Sequence, residues 1–283
     1  LDGSGGTIAI TAGSADHPGN VTVAQNALLD ASGTSGGSIS IRGKQLVVNN
    51  ATISADTGNA DGARTAIDIN VTGAVSLSNT NLPALTARTS GSGNAGDIVI
   101  SSGSLDGTFS SSTGVESLID SHTMGGGHGG NVAITTGPLT ITTGPLTMNG
   151  DPSIPGYFID SGTGGEGNGG NVSITAGTAQ FKSVSINTGD TTFFGVGSGG
   201  NLTIRADSLL LESVSFATDS FNARAGALSV EVDGLLHITG NSFVSNISFL
   251  GENPITLKAD HLIVEQHSRI LSLTALNAGG DAN

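Results

Sequence analysis

The chain has no cysteine, no tryptophan, one tyrosine and two methionines among 283 residues. Without cysteine, no disulfide can brace a fold and no thiolate can act as nucleophile or zinc ligand. The absence also fits export through an unfolded state. Basic residues are equally scarce: nine Lys and Arg stand against 23 Asp and Glu, for a net charge of −14. They form no cluster, and a phosphate backbone calls for a basic patch, so nucleic acid is not an expected partner. Anionic membrane surfaces are disfavoured for the same reason. No apolar run reaches the length of a spanning helix, so no membrane insertion is expected, and the opening residues do not read as a signal peptide. No heptad or 3.6-residue periodicity persists long enough to predict a helix.

What is present is glycine, 45 of it, and a returning phrase. A Gly pair, a small polar residue and alternating aliphatics occur as GGTIAI from Gly5, GGSISI from Gly36, GGNVAI from Gly129, GGNVSI from Gly169 and GGNLTI from Gly199. Degenerate copies are AGDIVI from Ala95, AGALSV from Ala225 and ENPITL from Glu252. Taking the first aliphatic of each phrase as an anchor gives Ile8, Ile39, Ile67, Ile98, Val132, Val172, Leu202, Leu228 and Ile255, spaced by 31, 28, 31, 34, 40, 30, 26 and 27 residues. A second apolar residue follows every anchor two positions on. That period of two marks one buried face of a short strand.

Two further strands are expected in each period. Leu46, Leu105, Leu139, Leu209, Leu235 and Leu262 lie seven past their anchors, with Ala179 as a small variant. Val48, Ile141, Phe181, Leu211 and Val264 lie nine past. A third cluster, fourteen or fifteen past, holds Ile53, Ile186, Phe216, Phe243 and Ile270. His237 falls on an apolar offset, which predicts a register slip that turns Leu236 and Ile238 inward. The segment from Pro18 to Leu29 departs from the register.

Three short strands in about thirty residues cannot enclose a core of their own, but stacked coils can share one. The expected fold is therefore all-β: a right-handed parallel β-helix of about nine coils, roughly 45 Å long at ~4.8 Å per coil. Residues 1–283 read as one β-solenoid segment, and both ends open on repeat phrases as if cut from a longer array. Glycine before each strand is expected to serve a sharp corner or a close approach of chains. Asn131, Asn171 and Asn201 share the position after the Gly pair and are expected to form a side-chain amide ladder.

The phrases GGTIAITAG (Gly5 to Gly13) and GGNVSITAG (Gly169 to Gly177), with KQLVVNNATISADT (Lys44 to Thr57) and DSLLLESVSFATDS (Asp207 to Ser220), resemble the haemagglutination-type repeats of filamentous-haemagglutinin-like exoproteins. The cyanobacterial type is nearest in pattern. The resemblance covers most of the chain. It implies a parallel β-helix exported by two-partner secretion, an extracellular or outer-surface location, and adhesive or structural roles. It implies no catalytic residues.

Candidate chemistry is sparse, and no catalytic, cofactor-binding or metal residue is assigned. GGGHGG and GGEGNGG resemble calcium-binding nonapeptide repeats, but His128 and Asn168 stand where a carboxylate is needed. The six histidines (His17, His122, His128, His237, His261 and His267) lack zinc-site spacing. Asp120 and Asp160 share an offset to the next anchor and are expected to point to water. Outward positions three past the anchors (Thr11, Arg42, Asn70, Ser101, Thr135, Thr175, Arg205, Glu231 and Lys258) bring no pair of acids together. Catalysis is therefore not expected. The function expected is a structural or adhesive rod that contacts cell surfaces, glycans or other proteins. The alternatives are a self-assembling filament, whose rods associate end to end, and a glycan-binding or glycan-cleaving protein. The duplication TTGPLTI/TTGPLTM (Thr135 to Met148) makes one coil about ten residues longer than its neighbours, and a bulging loop is expected there. One of the adjacent Phe193 and Phe194 is expected to turn outward.

Overall fold

A computed structural model describes residues 3–80, 82–110, 117–143, 156–190, 196–248, 250–251 and 254–274. The fold is a parallel β-helix, with the right-handed coiling that parallel crossovers adopt. No helix occurs among the described residues. All nine anchors fall into one column, each pairing in parallel with the next: Ile8 with Ile39, Ile39 with Ile67, and so on to Leu228 with Ile255. Each coil contributes one strand segment to each of three faces. The first two faces belong to one 14-stranded sheet and the third to a 9-stranded sheet.

Coil two shows the plan: Ser38–Gly43, then Gln45–Asn49, then Thr52–Ser54. From the sixth coil onward the first two segments fuse into single bent strands, Val172–Lys182, Leu202–Glu212, Leu228–Thr239 and Ile255–Val264. Inward residues form continuous columns, including Leu46 with Val75 and Ile53 with Leu85, and these are fully buried. Phe158, Phe181 and Phe216 stack on one another inside, with ring centroids 6.0 and 5.6 Å apart.

The Gly pair works by close approach. A Cβ on Gly130, Gly170, Gly200 or Gly226 would lie 1.8–2.1 Å from the carbonyl oxygen of the matching glycine one coil below. No side chain fits between coils at that corner. Positive φ occurs at the pair in Gly36 (φ 50°) and recurs mainly at a different corner, between the second and third faces, on Asn50, Ser183, Ser213 and Asn241.

Four details of the register differ from expectation or refine it. The slip at His237 is present: the ladder shifts between Ala206 and Leu209, Leu236 and Ile238 are buried, and Leu235 is turned outward. Leu235 is thus not the inward residue of its coil. A further residue at the next corner, where Thr239 to Phe243 is one residue longer than Glu212 to Ser215, makes Val244 the inward partner of Phe216 and Ile270, so Phe243 pairs outward with Ser215 and Arg269. The departure near Pro18 lies earlier than expected. Residues 13–18 are an insertion closed by an antiparallel bridge between Gly13 and Pro18, after which Asn20–Ala24 pairs in register with Gln45–Asn49. Asp120 and Asp160 do not point freely to water, as described below. The expected bulge of the second TTGPLT copy and the orientation of Phe193 and Phe194 lie outside the described residues.

Candidate functional site

The polar corners of the coil come first, because they decide which side chains are already committed. After the Gly pair runs the expected amide ladder. Asn171 donates its backbone N–H and its Nδ2 to Asn131 Oδ1, each at 3.0 Å. Asn201 N–H donates to Asn171 Oδ1 at 2.9 Å, and Ala227 N–H to Asn201 Oδ1 at 2.8 Å. The ladder starts on Asp97, whose Oδ1 accepts from both Asn131 N (2.8 Å) and Nδ2 (2.9 Å).

A second ladder absorbs the glycine-rich loops. Asn94 N–H donates to Asp61 Oδ1 at 3.1 Å, and His128 N–H to Asn94 Oδ1 at 2.8 Å. Asn168 N–H then donates to His128 Nδ1 at 2.9 Å, and Ser198 N–H to Asn168 Oδ1 at 2.9 Å. His128 and Asn168 therefore act as acceptors for the coil above, which is a structural task.

The third face differs. A cleft of about 310 Å³ opens across coils three to five, lined by Arg88, Ser117, Asp120, His122, Tyr157 and Asp160, together with Met124, Gly162 and Thr163. Parallel pairing creates it by stacking Ser117 on Tyr157 and Asp120 on Asp160. Coils four and five are the longest in the chain, with periods of 34 and 40 residues, and their extra residues immediately precede Ser117 and Gly156.

Each charged group has a traceable partner. Asp56 Oδ2 accepts from Arg88 Nε at 3.3 Å, and Arg88 Nη1 lies 3.8 Å from Asp120 Oδ2. Asp120 Oδ1 accepts from the backbone N–H of His122 (3.2 Å) and lies 2.6 Å from its Nδ1. Asp160 Oδ1 accepts from Gly162 N–H (3.1 Å) and Asn187 Nδ2 (2.9 Å), leaving Oδ2 without a partner among the described residues. Asp120 and Asp160 thus each close a short turn onto the backbone two residues on, the local habit of aspartate at corners.

Burial and proximity perturb the titration of this group. Burial, then the charge of Asp120 one coil below, push the Asp160 carboxyl above the usual carboxylate range, and its hydrogen bonds offset this only in part. Burial alone would lower His122, but its bond to Asp120 and the charges of Asp120 and Asp160 outweigh that and raise it. The Tyr157 hydroxyl is raised by burial and by Asp160.

Ser117 stands apart. It is 3 % exposed, and its hydroxyl has no hydrogen-bond partner among the described residues. A buried hydroxyl without a partner costs about 1–3 kcal/mol, so such groups are uncommon in native folds.

The sequence already placed Asp120 and Asp160 at a shared offset, but it did not bring Arg88, Ser117, His122 or Tyr157 beside them. Offsets counted forward from an anchor drift as insertions accumulate before the third strand. Counting back from the following anchor aligns Asp120 with Asp160 and places Arg88 and His122 two residues further on. No group of three or more His, Asp or Glu side chains among the described residues is arranged to hold a metal ion. Comparisons with known protein families, characterised proteins and solved structures give no match.

Proposed function

We propose that this chain is a stretch of structural or adhesive rod at an extracellular or outer cell surface, of the filamentous-haemagglutinin-like kind, contacting surfaces or glycans rather than transforming them. One observation carries the reading. The hydrogen-bonded stack runs through every coil on three faces, and its corners are locked by side-chain ladders. Coils that interact only with their neighbours add length without changing cross-section, which suits a stiff spacer. The outward positions of the first face carry mainly small hydroxyl residues and paired charges, such as Arg42 with Asp68 and Arg205 with Glu231. Such a surface stays hydrated and resists lateral sheet-to-sheet association.

The test is retention of the purified chain on polysaccharide- and protein-coated surfaces under flow, with release of reducing ends measured in parallel. Saturable retention without new reducing ends is expected. Steady release of reducing ends would replace the adhesive reading with a hydrolytic one.

A further inference from the structure

We propose that the third-face cleft binds one uncharged, hydroxyl-rich sugar unit of a glycan, with Ser117, Tyr157 and Asp160 as its contact residues. The inference rests on the adhesive reading and locates its recognition site.

The argument begins with the side chains that are not committed. Ser117 Oγ is buried at the cleft wall without a partner among the described residues, although a hydroxyl can both donate and accept. Asp160 Oδ2 is a second polar atom without a protein partner among the described residues, while Oδ1 is anchored by Gly162 and Asn187. The two sit on adjacent coils beside Tyr157, which stacks directly above Ser117. A tyrosine ring gives an apolar surface with a polar tip, matching the alternation of C–H and O–H groups around a sugar ring.

Charge then narrows the ligand. Arg88 is held between Asp56 and Asp120, and His122 Nδ1 is held by Asp120. The cations of the cleft are thus directed onto its own carboxylates, so an anionic ligand would meet Asp160 without a free counter-charge. A metal ion finds no set of three ligands among the described residues. A neutral hydroxyl suits both remaining groups, donating to the Asp160 carboxylate and exchanging either way with Ser117. At about 310 Å³ the cleft lies at the small end of ligand sites, which run ~300–1,000 Å³. One ring fits such a space; a longer chain would extend beyond it.

Placement agrees. The cleft is built in the two longest periods of the repeat, and chain inserted into a rigid scaffold is where recognition concentrates.

The experiment titrates the full chain with the methyl glycosides of glucose, galactose, mannose and N-acetylglucosamine, and with galacturonate, observed by saturation-transfer NMR. Saturable binding of at least one neutral glycoside is expected. Ser117→Ala should weaken it about five- to tenfold, the value of one lost hydrogen bond. The same variant should melt no lower than the parent, because it removes a buried hydroxyl that has no partner among the described residues; lost affinity would then not reflect lost folding. Tyr157→Leu, which keeps apolar bulk but removes the ring, should weaken binding further, while Thr175→Ala on the first face should leave it unchanged.

Binding of galacturonate in preference to all neutral glycosides would overturn the proposal. So would failure of every probe to bind, or affinities within twofold of the parent in both cleft variants. Retention on coated surfaces that persists in both cleft variants would place adhesion elsewhere on the rod, overturning the cleft but not the adhesive reading.

Discussion

The amide ladder offers a test in which two chemically identical substitutions should differ. Asn171 and Asn201 occupy equivalent corners one coil apart, and each Oδ1 accepts a backbone N–H from the coil above. Only Asn171 also donates its Nδ2 downward, to Asn131 Oδ1 at 3.0 Å. Asn171→Asp removes that donor and sets a carboxylate against an amide oxygen. Asn131 could face it only by flipping, which would sacrifice its acceptance from Asn171 N–H and its donation to Asp97. One lost hydrogen bond plus the acceptor clash should cost about 1–2 kcal/mol. Asn201→Asp loses no side-chain donor bond among the described residues, and its bond from Ala227 N–H becomes charge-assisted. Its change should stay within about 0.5 kcal/mol. Each variant adds the same unit to a net charge of −14, so long-range repulsion cancels in the comparison. Urea unfolding followed by circular dichroism measures both. Equal losses, or a larger loss for Asn201→Asp, would refute the ladder as a directional element. Asp97 already shows the rule: the lowest rung only accepts, and there aspartate stands in place of asparagine.

Phe181→Ala should cost about 3–5 kcal/mol in the same urea assay, since the ring is fully buried between Phe158 and Phe216. Gly127→Ala should sharply lower the melting temperature, because its Cβ would sit 1.9 Å from the Gly93 carbonyl oxygen, whereas Gly126→Ala, with nothing within 4 Å, should not. The raised carboxyl of Asp160 gives a pH dependence of definite sign. Its folded form holds the proton more tightly than the unfolded chain, so its contribution is complete below the ordinary carboxylate range and is lost as pH rises through the raised value. His122, also raised, contributes below the usual histidine range and loses that contribution as pH climbs past its own raised value. Asp160→Asn keeps an acceptor for Gly162 and Asn187 and removes the carboxylate. Its melting temperature relative to the parent should therefore rise between pH 4 and pH 8, and a difference independent of pH would contradict the buried, charge-coupled placement.

The sequence alone determined the architecture, because its period-two aliphatics after every Gly pair admit only one economical burial: columns shared between coils. The anchors and the amide ladder at Asn131, Asn171 and Asn201 were legible for the same reason. A corner that recurs in sequence at a fixed distance from its strand must recur in space. The slip at Leu236 was legible from His237, since a polar side chain on an apolar offset signals a bulge. The extra residue at the following corner was not: Phe243 is apolar and looked inward, yet Val244 holds that column. What only the tertiary structure decided was the third face. Insertions of unequal length precede it, so forward offsets lose register; counting back aligns Asp120 with Asp160, but only the inter-coil pairing shows that they stack and are withdrawn from water. That pairing stacks Ser117 on Tyr157 and Asp120 on Asp160, and swings Arg88 and His122 beside them. Read singly, these residues are ordinary turn formers and surface charges. Their burial and mutual perturbation arise largely from neighbours some 32 to 40 residues away, one coil up or down.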